Sequence, residues 1–125
     1  MCEWFPSAES AVVADRSAAR HARRFLDDHW CVEHAALLRG HADLVVSELV
    51  TEAVQHGKAP VVLKVECEGL DGVMIAVSDG DPNGPRFRTV GPDEAHGTNL
   101  VEVLSDEWGV RTRPGGKTVW SRLIV

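Results

Sequence analysis

The sequence predicts an α+β two-layer sandwich, a mainly antiparallel or mixed sheet covered on one face by about three helices. Three observations carry this expectation. The stretch Ser47 to Gly57, SELVTEAVQHG, has helical periodicity. Two pairs of short segments, around Pro60 to Ser78 and Val110 to Val125, are apolar and rich in β-branched residues, as strands are. The order of elements reads helix, helix, strand, strand, loop, helix, strand, strand, and antiparallel pairs of this kind collect their helices on one side.

Length and composition set the outer bounds. A chain of 125 residues is most simply one domain, long enough to bury a substantial core. The apolar fraction of 44% and charged fraction of 26% are those of an ordinary soluble globular protein. No apolar run approaches the ~20 residues that span a bilayer. The opening MCEWFPSAES lacks a basic segment followed by a hydrophobic one, so no secretory signal is read and a cytoplasmic location is expected. The net charge of −6 argues against a nonspecific nucleic-acid binder, which needs a basic surface, but leaves room for a nucleotide. Cys2, Cys31 and Cys67 are odd in number and far apart, without a CxxC pair, so buried or incidental thiols are the better reading.

Each element follows from its local pattern. Trp4 and Phe5 before Pro6 suit an edge strand or a packed arm. Ser10 to Trp30 reads as an amphipathic helix through Ala18, Ala22, Phe25 and Leu26. Arg16, Arg20, Arg23 and Arg24 make its outer side basic, either as a solvated face or as a docking surface. Cys31 to Gly40 reads as a connection with a short helical turn. The second helix is expected from near His41, with Asp43 at its positive end. On it Val45, Val46, Leu49, Val50 and Ala53 share one side, with Val54 at the edge. Gly57 is expected to take positive φ and end it. Pro60 to Cys67 and Val73 to Ser78 form a hairpin around Asp71-Gly72. Asp79 to His96 is a loop of about 18 residues, a length typical of binding loops and lids. Gly97 to Trp108 reads as a short helix. Val110 to Arg113 and Lys117 to Val125 form the last pair.

Chemistry concentrates on the second helix. Glu48, Glu52, Gln55 and His56 share an arc of roughly 100°. Two arrangements are compatible with that: a face turned to water, or a site where carboxylates beside a histidine handle a metal ion or a proton. The expected helix start at Gly97 would offer unpaired N–H groups to an anion such as phosphate. Asp79, at a strand end, is placed to accept a hydrogen bond from the amino group of a base, or simply to make a turn with Gly80.

Four segments in order, LVVSELVTEAVQHG, VSDGDPNGPR, HGTNLVEVLSDEWGV and GGKTVW, resemble the Bergerat-fold, or histidine-kinase-like, ATPases. Within them the chain is most similar to single-domain anti-sigma-factor serine kinases of actinobacteria. The similarity runs from about Pro6 to the end. It implies ATP and Mg²⁺ as cofactors, and a sigma factor and an anti-anti-sigma protein as partners. Separately, an exposed sheet edge and the Trp4-Phe5 arm would permit a homodimer. The resemblance implies Glu48 as the general base that takes the proton of an acceptor serine. It places His56 near the phosphates, Asp79 on the adenine amino group, Gly97 and Thr98 in the phosphate loop, and Thr118 close to the nucleotide. Glu52 stands where the family has the magnesium-binding asparagine. Three positions depart from the pattern: Glu52 itself, Ala95 in place of a phosphate-loop glycine, and Asp81 in place of the second glycine after Asp79. Uncompensated like charges ~4 Å apart cost roughly 4 kcal/mol at an effective dielectric of ~20, so Glu52 beside a triphosphate needs the metal between them. Three functions follow: a kinase that also sequesters a sigma factor; a non-catalytic partner-binding version; or an acidic cleft of Glu48, Glu52, Asp79, Asp81, His56 and His96 turned to proton chemistry on a small molecule.

Overall fold

The computed structural model describes residues 7–30, 36–68, 72–85, 89–90 and 98–124. Strand β1 (Ser7–Val12) precedes helices α1 (Ala18–His29) and α2 (Ala36–His56). Then come β2 (Val61–Cys67), β3 (Gly72–Asp79), the short β4 (Thr89–Val90) and β5 (Thr98–Asn99), α3 (Leu100–Leu104), β6 (Glu107–Arg113) and β7 (Gly116–Ile124). The main sheet has the order β1-β2-β3-β7-β6, and every neighbouring pair is antiparallel. β4 and β5 make a separate two-stranded ribbon. This is the α+β sandwich expected, with α1 packed on α2 and α2 on both β3 and β7.

The core follows the alternation of the strands. Leu63 and Val65 of β2, Val73, Ile75 and Val77 of β3, and Val119 and Leu123 of β7 all point to the helix side and are buried. They meet Val45, Val46, Leu49, Val50 and Ala53 of α2, the stripe read from its periodicity, with Ala18, Ala22 and Leu26 of α1 closing one flank. Residues of opposite parity, among them Met74, Ala76, Thr118 and Trp120, line an open groove of about 640 Å³ on the helix-free face.

Several boundaries differ from the sequence reading. An edge strand runs over Ser7–Val12, and the first helix starts at Ala18 rather than Ser10. A tight turn intervenes: the Asp15 carboxylate accepts the Ser17 backbone N–H at 2.7 Å, the local alternative such side chains offer to helix. Trp4, Phe5 and Cys31 lie outside the described residues. α2 starts at Ala36, so Asp43 is interior and pairs with Arg39 one turn before it at 3.3 Å. α3 is shorter than expected. Asn99 accepts the Glu102 N–H at 2.7 Å and starts it, and Ser105, with ψ at 140°, ends it. Trp108 consequently belongs to β6.

Glycine roles differ as well. Gly57 does not take positive φ; Gly115 does, at 81°. It follows Pro114 in the two-residue connection between β6 and β7, where a proline–glycine pair suits such a turn. Among the described residues no helix is long and apolar enough to cross a membrane.

Candidate functional site

The acidic residues of α2 are not turned to water. Glu48 is 8% exposed and Glu52 4%, and each is engaged by an interaction within the chain. The helix meets the sheet on one side and α1 on a flank, where Arg23 donates to Ser47 at 2.9 Å. Glu48 and Glu52 stand about 100° round from Ser47 and Thr51, on the flank turned away from α1. The buried arc of α2 is therefore wider than its apolar stripe. Two carboxylates one turn apart share the added part. His56, in the last turn, is exposed.

At the end of α2 the chain closes on Asp79. β3 alternates inward through Val73, Ile75 and Val77, and Asp79 continues that parity as the strand's last residue. β7 alternates inward through Leu123, Ser121 and Val119, and Lys117 continues that parity at its other end. The strand register sets Asp79 directly opposite Lys117. Direct antiparallel partners lie close enough for their side chains to interact, and here they form an ion pair. The Lys117 Nζ lies 3.0 Å from Asp79 Oδ2 and donates to Oδ1 at 3.2 Å and to the Asp81 carbonyl at 3.3 Å. Lys117 is wholly buried and Asp79 is 2% exposed.

Backbone walls in this pair. The Asp81 N–H donates to Asp79 Oδ1 at 2.8 Å, and Gly80 N–H to the Lys58 carbonyl at 2.6 Å. A Cβ at Gly57 would sit 2.5 Å from the Asp79 carboxyl carbon, and one at Gly116 would sit 2.5 Å from the Asp79 carbonyl oxygen. Gly57 is thus a glycine for space, to let the end of α2 pass against the carboxylate. Asp79 Oδ2 makes the nearest approach to the ammonium yet has no donor aligned on it. Asp81 accepts the Asn83 N–H and side-chain amide, both at 2.9 Å. The Asn83 backbone bond, then its amide and the positive Lys117 and Lys58, hold the Asp81 carboxyl below the usual aspartate value.

The expected site residues therefore divide. Glu48, Glu52 and Asp79 are buried on the helix side of the sheet. Thr118 is on the other face: its hydroxyl hydrogen-bonds Ser78 at 2.8 Å and accepts from Arg113 at 3.1 Å. Strand alternation gives the inward position beside Asp79 to Lys117 and not to Thr118. Thr98 pairs with Val90 in the β4–β5 ribbon. Gly97, Ala95 and His96 lie outside the described residues. Lys117 was missed in the sequence. The signal was present: a lysine two and six residues before Val119's and Leu123's inward parity is a charge in a core register.

The base-reading role expected of Asp79 meets a carboxylate already paired with Lys117 and only 2% exposed. Its Oδ2 has no donor aligned on it, but that atom is buried, so as arranged it is closed to an adenine amino group. Glu52, the residue expected at the metal, is likewise buried and engaged within the chain.

No protein-family profile matches the chain, and no curated protein sequence does. Among solved structures the chain is similar to that of the RsbU and RsbW domains of Rv1364c from Mycobacterium tuberculosis. The TM-score is 0.69 at 24% identity, over 95% of this chain and 32% of that one. What the two share is a fold. The chain spans about a third of the length of that protein.

Proposed function

We propose that this chain is a regulatory domain of the anti-sigma type that acts by binding protein partners, a sigma factor and an anti-anti-sigma protein. The observation that carries the reading is the fold shared with a structure of RsbU and RsbW domains over 95% of the chain. It agrees with the resemblance of the four sequence segments to anti-sigma-factor kinases. The basic side of α1 supports it further. Arg20, Arg23 and Arg24 of α1, with Arg16 just before it, are all exposed on a chain of net charge −6. A concentrated patch of opposite sign steers an acidic partner and fixes its register.

The kinase half of the resemblance is not part of the proposal. A phosphate donor would meet Asp79 already engaged, and no step is assigned to Glu48 as a base. Glu48 and Glu52 instead read as part of the buried flank of α2. The test is direct binding, by surface plasmon resonance without nucleotide, of the sigma factors and anti-anti-sigma proteins of the source organism. At least one is expected to bind with a micromolar or lower Kd. Absence of binding to all of them would overturn the proposal.

A further inference from the structure

Lys117 is the largest fully buried side chain among the described residues, and neither the core nor the partner surface needs a charge there. We propose that Lys117 is a built-in surrogate for the amino group of an adenine. It occupies Asp79 in place of a base and keeps adenine nucleotides from being read there. The inference rests on the reading of Asp79 as the counterpart of a base-reading aspartate.

The argument is one of competition between donors. An adenine amino group is neutral and brings one N–H to a carboxylate. Either donor would make a charge-assisted bond to the carboxylate, but the lysine adds a full positive charge, so it brings an ion pair as well. It is also tethered on the neighbouring strand, in register, so its local concentration does not depend on ligand supply. An adenine that displaced it would leave a buried ammonium without its carboxylate, which is strongly unfavourable. Space acts in the same direction. Asp79 is 2% exposed and its one oxygen without an aligned donor, Oδ2, is buried, and the Lys117 Nζ bridges the carboxylate to the Asp81 carbonyl. Asp79 therefore has one arrangement rather than a filled and an empty one. Partner binding through this domain is then independent of ATP.

Calorimetry with Mg-ATP on four proteins tests this: wild type, Lys117→Thr, Glu52→Asn and the double variant, each checked for folding by thermal melting. At about 1 mM nucleotide, wild type and Glu52→Asn should give no binding heat, while the double variant should gain affinity at least about tenfold over Glu52→Asn. Adding Asp79→Asn to the double variant should remove the gain. The proposal is overturned if wild type or Glu52→Asn binds as tightly as the double variant, or if the double variant is folded and silent. Should the threonine variants not fold, ¹⁵N-lysine NMR of the wild type decides. The Lys117 Nζ resonance should be unmoved by Mg-ATP, and a shift or broadening on addition overturns the inference. Failure of the partner-binding reading looks different: no sigma factor binds, with the nucleotide results unchanged.

Discussion

An ammonium and a carboxylate taken out of water each lose several kcal/mol of solvation, and mutual attraction offsets this only when geometry and extra hydrogen bonds are good. Around Lys117 and Asp79 the offset comes from the close charges, the Oδ1 bond, the Asp81 carbonyl and the Asp81 N–H, while Oδ2 is left without an aligned donor. Removing one partner leaves the other buried alone. Lys117→Ala and Asp79→Ala should each lower stability by about 3–5 kcal/mol in urea unfolding, and the paired change Lys117→Met with Asp79→Leu should recover most of it. Gly57→Ala drives a methyl to 2.5 Å from the Asp79 carboxyl carbon, so it should destabilise, although alanine is the better helix former. Asp81 gives a pH signature. Its carboxyl is held below 3.8 in the folded chain, so its contribution is complete above the unfolded value and disappears as pH falls through the folded one. Asp81→Asn should therefore flatten the acid side of the stability curve, read as urea midpoints from pH 5 down to about 2.5. At this scale the sequence showed the carboxylates but not their partner. Asp79 and Lys117 are separated by 38 residues, and only the strand register makes them neighbours.

Among the elements, α2 is the one whose inner face was most legible. Its apolar stripe repeats at helical spacing, and every residue of that stripe is buried. Leu49→Ala should cost about 2–5 kcal/mol, the range for emptying a packed leucine site. The ends of elements were less legible, because local hydrogen bonds set them. The Asp15–Ser17 turn delays α1, and Asn99 delays α3, whereas hydrophobic spacing carries information only about the faces in between. The burial of Glu48 and Glu52 was not legible either, since it depends on what covers a flank rather than on the helix itself. The basic side of α1 makes its own prediction. Arg20→Glu with Arg24→Glu should weaken partner association, mainly through a slower on-rate that added salt erases. As exposed substitutions they should change stability by no more than about 0.5 kcal/mol each.

Over the whole molecule, the sheet separates two environments. One face carries the helices, the core and the buried ion pair, and the other carries the groove with Trp120 and Thr118. The fold class was readable because strand pairs and helices alternate in a pattern with few topological solutions. The side of the sheet that a given residue faces was not always readable, since a shift of one position reverses it. That one-residue ambiguity is why Thr118 drew attention and Lys117 did not. The proposed partner-binding role and the proposed block at Asp79 together make one joint claim, that association does not respond to nucleotide. The most direct measurement is the Kd of the cognate sigma factor, determined with and without millimolar Mg-ATP. The same Kd in both conditions is the predicted result; a change of about tenfold or more, some 1.4 kcal/mol of coupling, would contradict it.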